Sequence, residues 1–145
     1  LGPKMLELAA SETAGAHPYF VPPEHTEFAR EIMGPDALLY PEQMIVIEED
    51  PDVARSIARK HMKTYVALPN YVNNLVRLGY EAGDIENLSD NVVDAVVVWG
   101  TMDSICARVQ AHFDAGADHV CVQVLTEEPN QVADGWRIIA PVLIG

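Results

Sequence analysis

Residues 43–53 read QMIVIEEDPDV, and this stretch decides the fold. Gln43 to Glu48 is a continuous apolar run edged by polar residues. Its length and β-branched content predict a buried strand rather than a helix. Asp50-Pro51 follows at once and is a strong helix start, with Asp at the N-cap and Pro at the first helical position. Val53, Ile57, Ala58, His61 and Met62 then recur at helical spacing. A buried strand that runs directly into a capped helix is the opening of a parallel βα unit.

The segments on either side repeat that alternation. Towards the N-terminus, Gly2-Pro3-Lys4 opens a mostly apolar helix that continues to about Thr13. Gly15 to Val21 is a short strand or its exit loop, stopped by Pro22-Pro23. A helix from Glu24 to Met33 places Phe28, Ile32 and Met33 on one side, with Gly34 as its closing residue. Towards the C-terminus, Leu68 to Leu78 is a helix closed by Gly79, and Asp84 to Leu88 is a helical turn. Ser89 caps a helix that runs to about Val98, so Trp99-Gly100 reads as a helix terminus with a packed indole. Thr101 caps a helix from Met102 to Ala115, with Ile105, Val109, Ala111, His112 and Phe113 on its inner side and Gly116 closing it. His119 to Leu125 (HVCVQVL) is a strand. Asn130 to Leu143 is a last helix, bent or ended near Pro141. Strands thus alternate with helices throughout, and no internal repeat or low-complexity segment interrupts them.

The 145 residues are enough for one domain with a core, and 49% hydrophobic with 21% charged residues is a globular composition. No apolar run reaches the roughly 18 to 20 residues that span a bilayer. Leu1 to Ala10 has no leader-like apolar core. A soluble, cytoplasmic protein is the expectation. The net charge of −13 repels phosphate backbones and argues against a nucleic-acid partner. Cys106 and Cys121 show no metal-ligand spacing and read as buried, reduced thiols. No GxSxG, GxxxxGK, HExxH or GxGxxG motif occurs, so hydrolase, kinase, zinc-peptidase and dinucleotide-fingerprint readings have no residue to rest on.

Several segments taken in order resemble the luciferase-like monooxygenases, and among them the actinobacterial deazaflavin-dependent oxidoreductases that use coenzyme F420. They are LGPKMLELAA, TAGAHPYFV, PEQMIVIEED, LPNYVNNLVRLGY and VVVWGTMDSICARVQAHFDAGADHVCVQVL, with the closing helix after them. The resemblance implies a (β/α)8 barrel of the TIM type, of which residues 1–145 would be a single domain forming the C-terminal half. Leu1 would end the fifth strand, GAHPY would be the sixth, QMIVIE the seventh and HVCVQVL the eighth. The helices between Asp50 and Trp99 would be an enlarged connection after the penultimate strand. The implied activity is hydride transfer to or from a small organic substrate, with coenzyme F420 or alternatively FMN as cofactor. The other reading is a catalytically inactive α/β fragment that binds a phosphate-bearing ligand or a partner chain.

In such a barrel the βα loops at the C-terminal ends of the strands carry the site. Gly2, Pro3 and Lys4 lie in one of them, at a helix N-terminus that favours an anion, and the resemblance implies contact with the cofactor's phosphate-bearing side chain. Without the resemblance they are a well-formed helix start with a solvated lysine. Gly15, Ala16 and His17 lie at the next strand end. His17 either donates to a phosphate or cofactor carbonyl, or is a loop histidine bonded to backbone. Asp50 is an N-cap, and no second motif supports Glu48 and Glu49 as an acid/base pair. Gln123 could point into the barrel mouth. Asn70, Tyr71, Asn73 and Asn74 either line a substrate pocket or cover the insertion. His61 and His112 read as satisfied core histidines, and Tyr19 and Phe20 as packing residues. No catalytic residue and no metal ligand is assigned. Half a barrel would leave two sheet edges and an inner apolar face open. The expectation is therefore a homo-oligomer or association with a missing N-terminal half.

Overall fold

The computed structural model describes residues 1–144, so Gly145 lies outside the described residues. The stretch after Gln43 is a strand as expected: β3, Glu42–Val46, is buried at all five positions. It pairs in parallel on both edges. The strand β5, Cys121–Val124, lies along one of them, with Glu42 opposite Cys121 and Ile45 opposite Val124. The strand β4, Val97–Trp99, lies along the other, with Met44 opposite Val97 and Val46 opposite Trp99.

Below β4, the same edge is taken by β1, Gly15–Ala16. It pairs in parallel with β2, Leu38–Leu39, a short strand that leads into β3. The amides of Tyr40 and Glu42 carry that ladder upward by donating to the carbonyls of Ala16 (2.9 Å) and Pro18 (2.8 Å). Residues 38–46 are thus the spine of the molecule. One edge carries β5 along its length, and the other is divided between β1 at the foot and β4 at the top.

Alternate side chains of the spine face opposite helical layers. Ile45 packs with Val98, Val124, Ile105 of α7 (Met102–Asp114) and Ile139 of α8 (Val132–Ile144). Leu39 packs with Leu6 of α1 (Pro3–Glu12) and with Ala29 and Met33 of α2 (Pro23–Met33). Gln43 points the same way and would be costly there unbonded. Its Oε1 lies 2.9 Å from His112 Nε2, and His112 Nδ1 lies 2.8 Å from Thr26 Oγ1. His112 is fully buried and, as expected, satisfied.

Met44, Val46 and Leu125 face the other way. They meet Ala54, Ala58 and Met62 of α3 (Pro51–Val66), Leu75 of α4 (Pro69–Arg77), Ile85 of α5 (Ala82–Asn87) and Val92, Val93 and Val96 of α6 (Asp90–Val96). This overturns the expectation of an exposed inner face, because the long connection folds back and covers it. The architecture is a parallel α/β arrangement with both sheet faces covered and, among the described residues, no closed barrel. Strand edges stay unpaired at the outer side of β5 and, on the opposite side, at β1 and β4. Near the β5 edge Phe113, Trp136 and Ile144 are exposed.

Local signals placed most elements correctly. Asp50 Oδ1 accepts from the amides of Asp52 (3.0 Å) and Val53 (3.2 Å), and Thr101 Oγ1 from Ser104 N at 3.3 Å. Several details differ. The helix after Ser89 stops at Val96 because the run Val96-Val97-Val98-Trp99 has strand propensity and finds free backbone partners on β3. Ser89 makes no side-chain cap bond. The buried stripe of α3 is Ala54, Ala58 and Met62, while Val53 is exposed, because the two alanines let the helix approach the sheet closely. Phe113 is exposed rather than inward. Cys106 and Cys121 are free but only partly buried. α8 continues through Pro141.

The foot of the sheet imposes one strict requirement. At Gly15, φ is 159°, and a Cβ there would lie 1.9 Å from the Leu38 carbonyl oxygen. Replacing Gly15→Ala should force β1 off β2 and destabilise the chain by about 2 kcal/mol or more. A chemical denaturation midpoint unchanged in the variant would show that the β1–β2 approach is not as close as described.

Candidate functional site

α1 begins at Gly2, which has extended backbone and no side-chain cap, with Pro3 at the first helical position. The Gly2 carbonyl accepts from Met5 N (3.0 Å) and Leu6 N (3.1 Å). Arg77, from the last turn of α4, lies across this helix start: its Nη2 is 3.6 Å from where a Cβ on Gly2 would sit. Gly2, Pro3, Lys4, Met5, Glu7 and Arg77 line a shallow depression there. It combines an uncapped helix N-terminus with two cationic side chains, Lys4 and Arg77, against one carboxylate, Glu7, a net positive arrangement.

On the other side of Met5 is a second depression of about 310 Å³. It lies between α1, α4 and the end of β1, and Ala16, His17, Pro18, Tyr19, Asn70 and Tyr71 contribute to it. The structure thus brings Gly2, Pro3 and Lys4 to one depression and Ala16 and His17 to its neighbour. Gly15 lines neither, because it is pressed against β2. His17 is exposed and its Nδ1 is 2.5 Å from the Tyr40 carbonyl, so one ring nitrogen is engaged by backbone.

Tyr19 carries more than packing. Its hydroxyl donates to Gln123 Oε1 at 2.6 Å and lies 3.0 Å from the Tyr65 hydroxyl and 3.3 Å from His61 Nε2. Burial raises the Tyr19 pKa, so the phenol keeps its proton, and burial lowers that of His61. Gln123 does turn to the face covered by α3. Phe20 stacks on Tyr65 at 5.1 Å, and Tyr71 meets Tyr65 edge-on at 5.2 Å. Among Asn70, Tyr71, Asn73 and Asn74, the first two line the depression and Asn74 is buried.

Glu42 and Arg77 were missed from the sequence. Glu42 is 5% exposed. Its Oε2 accepts a long 3.4 Å bond from Phe20 N, and its Oε1 has no partner. Burial pushes its pKa up to about 8 against that one bond. The available signal was a carboxylate heading an apolar run. Arg77 had none beyond its place at a helix C-terminus.

Elsewhere the residues serve structure. Glu48 Oε1 accepts from Asp50 N at 2.9 Å, and Asp50 caps α3. A cavity of about 400 Å³ at the ends of β3 and β5 is rimmed by Glu48, Glu127 and Asp134, which disfavours a phosphate there. Trp99 ends β4 rather than a helix, and its indole N–H donates to Asp94 Oδ1 at 2.7 Å. Among the described residues no His, Cys, Asp and Glu grouping could hold a metal ion, and no helix is long and apolar enough to cross a membrane.

No protein-family model and no curated protein matches the chain in sequence. Solved structures do match it in fold. An F420-dependent secondary alcohol dehydrogenase in complex with an F420-acetone adduct superposes with a TM-score of 0.63 at 13% identity, covering 98% of this chain and 46% of that one. The coenzyme F420-dependent tetrahydromethanopterin reductase from Methanopyrus kandleri gives 0.52 at 16% identity, covering 85% and 42%. The chain therefore shares the fold of part of these enzymes and spans less than half of their length.

The Tyr19 hydroxyl joins the end of β1 to β5 and α3, so its bonds should couple energetically. Tyr19→Phe and Gln123→Leu should each cost about 1–2 kcal/mol, and the double variant should cost about 1 kcal/mol less than their sum. Strictly additive losses in a denaturation cycle would mean that the bond contributes nothing.

Proposed function

We propose that this chain is part of an oxidoreductase that uses coenzyme F420 for hydride transfer to or from a small organic substrate. The observation that carries this reading is the fold match over nearly the whole chain to F420-dependent enzymes. Those two are a dehydrogenase and a reductase, so hydride transfer is proposed rather than monooxygenation, and F420 rather than FMN.

The residues present fit such a cofactor in character. Gly2 leaves the α1 N-terminus uncovered, and Lys4 and Arg77 stand beside it, so this end would hold the anionic tail. The neighbouring depression, with Tyr19, Tyr71, Asn70 and His17, offers flat surface and hydrogen-bonding groups to a planar heterocycle. The deazaflavin ring supplies the hydride chemistry when bound. The protein's part is to bind and orient it. Tyr19 would keep a neutral phenol in that wall, and α4 would screen it from water.

A second reading has its own observation. The outer edge of β5 carries unpaired backbone beside the exposed Phe113, Trp136 and Ile144. That edge suits pairing with another chain, whether a second copy or a partner that extends the sheet.

Fluorescence titration separates the two. Coenzyme F420 should bind saturably, the deazaflavin ring without its anionic tail more weakly, and Lys4→Ala/Arg77→Ala should weaken F420 binding about tenfold or more, or about 1.4 kcal/mol. Absence of saturable binding, or binding indifferent to both the tail and the two cations, would remove the proposal and leave the partner-binding reading.

A further inference from the structure

The corner after β1 is strained and buried. Phe20 has φ 62°, a left-handed conformation that is costly for a bulky side chain and persists only where its surroundings enforce it. Phe20 is 1% exposed, and its amide donates to Glu42 Oε2. The residue before it, Tyr19, forms part of the wall of the depression between α1 and α4. The Glu42 carboxyl is the side chain on the spine that holds this corner, and its other oxygen has no partner.

The groups around Glu42 offer no counter-charge. Tyr19 approaches from the β1 corner and Cys121 from β5, and each is itself shifted upward in part by the Glu42 charge. His61 and Tyr65 of α3 stand behind the Tyr19 hydroxyl, and Tyr71 of α4 lies edge-on to Phe20. No lysine or arginine pairs with Glu42 among the described residues. A neutral carboxyl can sit here and accept the Phe20 N–H through its carbonyl oxygen. An ionised one would be a buried charge with a single long hydrogen bond, and it would be driven to turn out towards water or to admit water. Either movement withdraws the acceptor from Phe20 and frees the strained corner.

We propose that Glu42 is a proton-operated latch: protonated, it holds the Tyr19–Phe20 corner closed and fixes the wall of the α1–α4 depression, and ionised, it releases both. The depression is the one offered above to the cofactor ring, but the latch does not depend on that cofactor. The linkage has a definite sign. A carboxyl whose folded pKa lies above its unfolded value contributes stability at low pH, and that stability is lost as pH rises. For Glu42 the loss falls between about 4.5 and about 8.

Amide NMR of the 145-residue chain between pH 5 and pH 9, without ligand, tests the latch. The Phe20 amide should titrate with a midpoint near 8, far above an ordinary glutamate. Ala9 and Asn70, which line the depression but do not titrate, should move with it. In Glu42→Gln, an isosteric stand-in for the neutral acid, these shifts should vanish, and the loss of stability that Glu42 contributes across the same window should go with them, leaving the opposite trend that the buried His25 and His112 supply at its lower end. A Phe20 amide that is flat or titrates at an ordinary glutamate midpoint, an Ala9 and Asn70 response absent while Phe20 titrates, or a titration that persists in the variant would each overturn the proposal. None of these readouts uses coenzyme F420, so the latch and the cofactor assignment can fail separately.

Discussion

The backbone of residues 42–46 has no water to turn to, so each of its amide and carbonyl groups needs a partner inside the protein. β4 and β5 supply them from the two edges, and the carbonyl of Pro18 completes the foot. The helical layers follow from this enclosure. α7 and α8 cover Ile45, and α3 to α6 cover Met44 and Val46. The polar residues of the spine fare unequally. Gln43 is answered by His112, and through it by Thr26. Glu42 is only half answered, and one of its buried carboxyl oxygens is left without a partner.

The same enclosure bears on the candidate site. With its inner face covered, the sheet leaves no open lumen among the described residues, and two depressions lie where α1, α4 and the end of β1 meet. One half of that region is cationic and the other aromatic. The cavity at the ends of β3 and β5 differs from both, being rimmed by Glu48, Glu127 and Asp134. α4 is decisive because it brings both Arg77 and Tyr71 to the start of α1.

What was legible in the sequence was local. The apolar run after Glu42, the Asp50-Pro51 cap, the Thr101 cap and the Pro3 start are each written within a few residues, and each element formed. β4 was hidden because Val97 and Val98 continue a helical pattern, and only the vacant upper edge of β3 turns them into a strand. The fold-back of α3 to α6 was hidden for the same reason, since periodicity shows that a helix has an inner face but not what that face will meet. Gly15 shows the limit in the site itself. A glycine at a strand end suits either a phosphate or a close strand, and the Leu38 carbonyl, distant in sequence, decides for the strand. Arg77 and Glu42 owe their roles to Gly2 and Phe20, which no spacing rule connects to them.

The account stands on β3 being enclosed on both faces and both edges within this one chain. Native-state hydrogen exchange measures that enclosure residue by residue. The amides of Gln43 to Val46 should exchange only through global unfolding, while those of β5 that point to its outer edge, Val122 and Val124, should exchange much faster. Exchange of the β3 amides at a free energy well below global unfolding would show that α3 to α6 open as a separate unit, and would contradict the enclosure on which the fold, the candidate site and the Glu42 latch all rest.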